Sequence, residues 1–305
     1  MNKSNRANFL MLLLLFHLIS IMPFIFAILR ATGVNLSLMV VLPLSQTLGF
    51  LLPLLFYMKI TKQKIGRVLP VKLPGLKNML LVAAIIVAFT PMMGFLSGFT
   101  ALFTDNVVEE ILMVVSPYPL WALLIVFAVF PSVCEELFFR GALYKEQAPM
   151  SFKKLIFVNG LFFGIVHLNI QQFFYAFALG MIFAYFMYFT RNILIPIWGH
   201  FCVNGSQILL FYFGSDLQDY NQPVSLPLVA ASGIVGLLFM PVVIFLMRLF
   251  VKNNSSQVYF EAFEESPQLV TESEFSEIPV SEAGLLNFEF VIILMIFITI
   301  VILTL

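Results

Sequence analysis

The chain has 305 residues, of which 61% are hydrophobic and only 10% are charged, and its formal net charge is zero. A soluble domain has about a quarter of its residues charged, so this composition excludes an ordinary soluble protein and indicates a polytopic membrane protein. The balanced charge gives no sign of a polyanionic partner, and we expect no nucleic-acid binding. The expected surrounding is the lipid bilayer.

A span needs about 20 apolar residues, and by that measure hydropathy predicts an all-α transmembrane helical bundle of eight to nine spans. The predicted helices cover 9–29, 36–58, 78–101, 119–140, 154–168, 172–190, 193–213, 226–247 and 286–305. The first run follows basic residues as in a signal peptide, but its length and the lack of a small-residue cleavage site favour a retained helix. The fifth and sixth helices are short and joined by a tight turn, which predicts a packed hairpin.

Composition divides the chain into five segments. Residues 1–116 hold the first three helices, 117–215 hold helices four to seven, and 216–250 hold the eighth. Residues 251–285 are acidic and rich in serine, which predicts a disordered or partly ordered cytoplasmic segment. Residues 286–305 form a C-terminal transmembrane helix that we expect at the periphery of the bundle.

Loop charges alternate along the chain. The third loop carries Asp105, Glu109 and Glu110 and no basic residue, whereas the second and fourth loops and the ends of the sixth and eighth helices are basic. The basic residues are Lys59, Lys62, Lys64, Arg67, Lys72, Lys77, Lys145, Lys153, Lys154, Arg191, Arg248 and Lys252. Because cytoplasmic loops are enriched in Lys and Arg, this pattern predicts a cytoplasmic N-terminus. We expect a multi-pass protein of a bacterial cell membrane.

Charged, titratable and amide side chains lie inside the apolar runs of the segment 117–215. They are Glu135, Glu136, Arg140, His167, His200 and Asn204. An ionisable group at bilayer depth is costly unless it is paired or faces water, so it is interpreted as functional. At about 1.5 Å per residue, Glu135, His167 and His200 lie about 15, 20 and 14 Å from the inner helix ends. This agreement requires that the fourth helix continues past Arg140 to Lys145.

Helical spacing assigns partners to the two glutamates. Glu136 and Arg140 are four residues apart with the acid before the base, which predicts an ion pair. Glu135, about 100° round the helix, is then the free and reactive carboxylate. Pro131 removes one backbone hydrogen bond and tends to kink the helix, which can widen a cavity beside Glu135.

One carboxylate and two imidazoles around a wet pocket suit the activation of water for hydrolysis. Glu135 is the expected general base, and an imidazole can polarise a carbonyl or stabilise an oxyanion. His200 and Asn204 share a helix face, so the Asn204 amide can donate to the same oxyanion. The set Glu135, His167 and His200 also resembles a zinc site with an open fourth position, although no HExxH motif occurs. Zinc and metal-free water activation both stay open.

Three motifs occur in order along the predicted helices. They are EELFFR at Glu135–Arg140, FGIVH at Phe163–His167 and HFCVN at His200–Asn204. Their order and spacing resemble the EExxxR, FxxxH and HxxxN motifs of the CPBP family. That family comprises CAAX prenyl proteases and bacteriocin-processing enzymes and is also called the Abi family of intramembrane proteases. The resemblance covers residues 117–215.

The resemblance implies an intramembrane endopeptidase that cleaves a membrane-associated peptide or protein in CAAX-type processing, bacteriocin processing or self-immunity. Its active site would lie between the fourth, fifth and seventh helices. It implies that Glu135 activates water, with His167 and His200 as ligands or oxyanion stabilisers and with Asn204 completing the site. Supporting roles fall to Glu136, Arg140 and Phe163.

Two other functions are compatible with the same residues. A non-catalytic immunity or scaffold protein could keep the fold and bind a peptide or partner. A proton-coupled transporter could use Glu135 and the histidines as a relay, but no internal repeat supports it. The substrate, the metal and the oligomeric state are left open.

Overall fold

The computed structural model describes residues 3–104, 107–214, 224–265 and 287–304. These residues form helices and contain no strand, as the sequence predicted. In chain order, the helices are α1 (3–31), α2 (Leu38–Thr61), α3 (Ile65–Val68), α4 (Leu76–Ala101), α5 (Val107–Val115), α6 (Leu120–Gln147), α7 (Phe152–Ile165), α8 (Ile170–Thr190), α9 (Leu194–Gly214), α10 (Leu226–Glu265) and α11 (Phe288–Thr304).

Within the described residues, seven helices are long and apolar enough to cross a bilayer, and the chain is an integral, multi-pass membrane protein. They are α1, α2, α4, α6, α8, α9 and the part Leu226–Asn254 of α10. α7 and α11 have 14 and 17 residues. At about 1.5 Å per residue they are about 21 and 26 Å long, short of a hydrocarbon core of about 30 Å. The described residues thus contain a helix for each of the nine apolar runs that hydropathy predicted, and seven of these helices have the length of a full span.

Three prolines each follow a wide, π-helical turn. The turns are His17–Ile21 before Pro23 in α1, Thr47–Leu51 before Pro53 in α2, and Ile125–Val129 before Pro131 in α6. Proline has no N–H and its ring crowds the preceding turn, so a carbonyl one turn earlier lacks its usual donor. Before two of the three prolines, a side chain supplies the missing donor. His17 Nε2 donates to Leu48 O at 3.1 Å, before Pro53. Asn204 Nδ2 donates to Phe127 O at 3.0 Å, before Pro131.

α7 and α8 form the packed hairpin that the sequence predicted. At their contact, a Cβ on Gly180 would lie only 2.8 Å from the Cα of Gly160, so this approach requires glycine. The connecting turn places Leu168 in the left-handed region, with φ 52°. Asn169 then begins α8, because its Oδ1 accepts a hydrogen bond from the Gln171 N–H at 2.7 Å. Since the last residues of α7 are buried, the turn begins inside the bundle.

The eighth predicted helix is longer than the sequence indicated. α10 continues to Glu265, so the first part of the segment 251–285, which was predicted to be disordered or partly ordered, is helical. Residues 266–285, the rest of that segment, lie outside the described residues.

α11, which the sequence predicted at the periphery, packs one face against α7 and α8 and leaves the opposite face exposed. Phe290 and Ile293 are buried, and the Phe290 ring lies 6.1 Å from the ring of Phe162 in α7. Phe173 of α8 makes a closer contact with Phe297, with ring centroids 4.9 Å apart. A helix that is apolar on every side does not show in its sequence which face it buries, because the neighbouring helices decide that.

Candidate active site

The length of α6 decides whether its two glutamates reach the histidines. α6 is continuous from Leu120 to Gln147, which confirms the prediction that it passes Arg140 and reaches Lys145. A second π-helical stretch, Leu137–Leu143, follows directly after the glutamates. Such stretches occur frequently at functional sites.

All four residues predicted as catalytic line one cavity of about 220 Å³. Glu135 comes from α6, His167 from the turn after α7, and His200 and Asn204 from α9. Phe163, predicted as a supporting residue, lines it as well. Glu135 and His200 are each only 6% exposed, so the site lies inside the bundle. The matched depths estimated from the sequence correspond to one shared cavity.

Glu136 and Arg140 form the ion pair that their spacing predicted, and both side chains are fully buried. Arg140 Nη1 donates to Glu136 Oε1 at 2.9 Å, and Nη2 donates to the Gly180 carbonyl at 2.8 Å. The guanidinium carbon also lies 4.5 Å from the centre of the Phe163 ring. A buried cation is costly without an anion and further partners, and these contacts supply both.

The two histidines are oriented by their Nδ1 atoms. His200 Nδ1 donates to Glu136 Oε1 at 3.0 Å, a contact that the spacing did not predict. His167 Nδ1 donates to the Phe163 carbonyl at 2.8 Å. A neutral imidazole carries one proton, and these acceptors place it on Nδ1 in both rings. Each ring therefore has Nε2 as a hydrogen-bond acceptor.

Glu135 is held by a residue from a different part of the chain. Its Oε1 accepts a hydrogen bond from Gln46 Nε2 of α2 at 3.1 Å. Its Oε2 is buried and has no hydrogen-bond partner among the described residues, and the same is true of Gln46 Oε1. Unlike Glu136, Glu135 lines the cavity, where water or a substrate group can meet these two atoms.

The sequence did not point to Gln46 or Tyr175, which both line the cavity. The sequence does contain a sign of Gln46, because this residue is an amide in the middle of the apolar run 36–58. A search for ionisable groups does not detect it, since amides do not ionise. Nothing in the sequence distinguishes Tyr175, since an aromatic residue in a Phe-rich span looks like an ordinary packing residue. Asn204 was predicted, and its bond to Phe127 O uses one amide proton and leaves the second available.

The set Glu135, His167 and His200 has the donor chemistry of a zinc site, with two imidazole nitrogens and one carboxylate. Its arrangement does not fit such a site. In the described part of the chain, no group of three or more His, Cys, Asp or Glu side chains could hold a metal ion. The residues as they stand therefore do not form a three-ligand zinc site.

A known protein family matches the part of the chain that builds the site. Residues 117–206 match the family model described as Rce1-like, type II CAAX prenyl endopeptidase Rce1-like. This segment begins just before α6 and ends within α9, so it contains all four residues predicted as catalytic. Gln46 lies outside it. No curated protein and no solved structure matches the chain.

Proposed function

We propose that the chain, a member of the CPBP family of intramembrane proteases, is an endopeptidase that hydrolyses a peptide bond of a membrane-associated peptide or protein. The observation that carries the proposal is the setting of Glu135. Gln46 holds one carboxylate oxygen, and the other is unpartnered in a cavity that also contains His167 and His200. This setting suits a general base inside a membrane protein.

In the proposed reaction, a water molecule donates one hydrogen bond to Glu135 Oε2 and the other to His200 Nε2, and His167 lies beside it in the same cavity. Glu135 takes a proton from this water while the water oxygen attacks the carbonyl carbon of the scissile bond. The resulting oxyanion accepts hydrogen bonds from donors that line the cavity, namely the second amide proton of Asn204 and the Tyr175 hydroxyl. Glu135 then gives its proton to the amide nitrogen, the C–N bond breaks, and a carboxylic acid and an amine leave.

Glu136 and Arg140 act through other groups in this scheme. Glu136 keeps the proton of His200 on Nδ1 and so directs the acceptor Nε2 toward the water. Arg140 balances the charge of Glu136 in a fully buried layer. Neither side chain lines the cavity, so both are positioning residues.

The substrate class follows from the family and from the membrane location. The family match favours CAAX-type processing, with bacteriocin processing or self-immunity as the alternatives. The basic loops favour a cytoplasmic N-terminus, and we place the enzyme in a bacterial cell membrane.

The proposal is tested by comparing the membrane peptides of cells that express the wild type or Glu135→Gln. The variant keeps the size of the side chain and an acceptor for Gln46 but loses the general base, which lowers the rate by about 10²–10⁴-fold. A peptide should then accumulate as its uncleaved precursor. Glu110→Gln, at an exposed position of α5 outside the cavity, is the control and should leave the precursor processed.

A specific result would contradict the proposed protease activity. If Glu135→Gln and His200→Ala are correctly folded and yet leave every peptide processed as in the wild type, the protein is not a protease of this kind. A phenotype that depends only on loops or on the C-terminal segment would then indicate the immunity or scaffold function.

A further inference from the structure

Residues 62–75 join α2 to α4 and include the short helix α3. We call them the α2–α4 connection. Both α2 and α4 are long and apolar enough to span a membrane, so the residues between them lie where these spans leave the hydrocarbon core. The α2–α4 connection is therefore surrounded by lipid headgroups, whichever side of the membrane it is on.

Hydrogen bonds to the turn between α8 and α9 hold the α2–α4 connection in place. The Asn192 side chain bonds the main chain of Lys72 twice. Its Oδ1 accepts from the Lys72 N–H at 3.2 Å, and its Nδ2 donates to the Lys72 carbonyl at 2.7 Å. The Ile193 N–H donates to the Pro70 carbonyl at 2.9 Å. These three bonds fix the backbone of residues 70–72 as a neighbouring strand would.

The α2–α4 connection is also packed against α6. Val68 is buried, and a Cβ added to Gly141 of α6 would lie 2.5 Å from the Leu69 side chain and 3.4 Å from the Val68 carbonyl. Gly141 belongs to the π-helical stretch of α6 that follows the two glutamates. Further along α6, Lys145 Nζ donates to the Arg67 carbonyl at 3.1 Å. The connection is thus a fixed part of the bundle.

The fixed backbone presents apolar side chains outward. Leu73 is 96% exposed, and Ile65, Val71 and Leu76 are each more than 60% exposed. Val71 and Leu73 lie on either side of the residue that pairs with Asn192, and side chains two residues apart in such backbone project to the same side. Together these residues form an exposed apolar patch outside the two spans.

Exposed basic side chains accompany the apolar patch. Lys62, Lys64 and Arg67 belong to the α2–α4 connection, Lys77 follows in the first turn of α4, and all four are exposed. The sequence 59–77 contains no Asp or Glu. Interfacial segments combine these two features, because their affinity comes from apolar burial together with attraction to anionic lipids.

We propose that the α2–α4 connection binds anionic phospholipids of the surrounding bilayer. Val71 and Leu73 enter the boundary between headgroups and acyl chains, and the four basic side chains bind the lipid phosphates. A role in membrane topology alone requires positive charge, but neither a fixed backbone nor outward apolar side chains. The inference is independent of the proposed protease activity and of the orientation of the protein in the membrane.

Fluorescence quenching by brominated lipids tests the inference in the full chain. Leu73→Trp places an indole where the leucine is almost fully exposed, so no neighbour has to move. The wild type, which contains Trp121 and Trp198, gives the background signal. The protein is placed in nanodiscs of equal parts of phosphatidylglycerol and phosphatidylcholine, with bromine on the acyl chains of one lipid at a time. The ratio of the two quenching efficiencies measures the enrichment of anionic lipid beside the new indole.

We expect phosphatidylglycerol to quench the new indole at least about twofold more strongly than phosphatidylcholine. The preference should disappear at about 1 M salt, where the Debye length falls to about 3 Å. The triple substitution Lys62→Gln, Lys64→Gln and Lys77→Gln should abolish it as well. Arg30→Gln is the control and should leave the preference unchanged. Arg30 lies near the end of α1, whereas the start of α1 packs beside Lys145.

Equal quenching by the two lipids, or a preference that survives the triple substitution, would overturn the inference. Acrylamide, a quencher dissolved in the water, identifies the other surroundings that the α2–α4 connection could have. An indole quenched by acrylamide and by neither lipid faces water, and an indole shielded from all three quenchers is covered by protein. Either result contradicts lipid binding. Adding Glu135→Gln should leave all of these signals unchanged, so a failure of the proposed protease function is recognised separately.

Discussion

The two halves of α6 have different surroundings. The half that ends at Glu135 borders a cavity, whereas the half that begins at Glu136 is buried against neighbouring helices. The first half contains Pro131 and the wide turn before it, and Phe127 and Glu135 line the cavity. The second half holds fully buried aromatic residues and Arg140. One step along a helix is about 100° of rotation, so of two adjacent carboxylates Glu135 lines the cavity and Glu136 is paired with Arg140.

Among the substitutions that test the difference between the two halves of α6, we expect the replacement of the buried Arg140 to have the largest effect. Arg140→Met leaves Glu136 buried without its guanidinium partner, so the free energy of unfolding should fall by about 3–5 kcal/mol. Denaturant titration of the purified protein in detergent micelles measures the change. Arg67→Met removes an exposed arginine and should stay within about 0.5 kcal/mol of the wild type. A variant at position 140 with wild-type stability would show that the second half needs no charge balance.

Replacing each of the two glutamates by glutamine tests whether the boundary between the two halves of α6 lies between Glu135 and Glu136. Glu136→Gln removes the anion that Arg140 and His200 share, and we expect a loss of about 3 kcal/mol in unfolding free energy. Glu135→Gln keeps an acceptor for Gln46 and should cost less than about 1 kcal/mol while it stops cleavage. The same titration and the peptide comparison measure both properties. Equal losses of stability would mean that the two carboxylates share one environment.

Gly180 tests the contact between α7 and α8, which supports the second half of α6 through Arg140. Gly180→Ala places a methyl group against the Gly160 backbone, and such overpacking should cost about 1–3 kcal/mol in unfolding free energy. It also displaces the carbonyl that accepts from Arg140. Gly94→Ala, in α4 with open space around it, is the matched control and should be neutral or stabilising by up to about 1 kcal/mol. Identical behaviour of the two variants would argue against a close α7–α8 contact.

The smallest effect concerns the orientation of Glu135. Gln46→Leu removes the hydrogen bond to Glu135 Oε1, so the cleavage rate should fall by about tenfold, with stability changed by less than about 1 kcal/mol. Initial rates on the precursor that accumulates with Glu135→Gln measure the effect. Ser45→Ala, which removes the neighbouring hydroxyl, should cleave at the wild-type rate. An unchanged rate for Gln46→Leu would assign Gln46 to helix packing alone.

Much of the site could be predicted because ionisable residues are rare in apolar spans and therefore conspicuous. Glu135, His167 and His200 stood out for this reason, and the spacing of Glu136 and Arg140 predicted their ion pair correctly. The hydropathy boundary of the fourth helix at Arg140 was too short. Arginine normally ends an apolar run, but here its buried partner allows the helix to continue past it.

Other contacts had no local signal. The bond between His200 and Glu136 joins α9 to α6, and the bond between Gln46 and Glu135 joins α2 to α6. Sequence spacing describes neighbours within one helix, whereas these pairs depend on how separate helices pack. The carbonyl freed before Pro131 was predictable, but not that Asn204 would be its donor.

The sequence by itself determined the membrane class, the order of the helices and the residue types of the site. Each of these follows from hydropathy, from the cost of polar groups in a bilayer and from spacing along one helix. Only the tertiary structure decided that Glu135 faces a cavity and Glu136 does not, and that Gln46 belongs to the site. The physical reason is that a cavity is bounded by several helices at once, and its shape depends on their relative positions, which no single segment encodes.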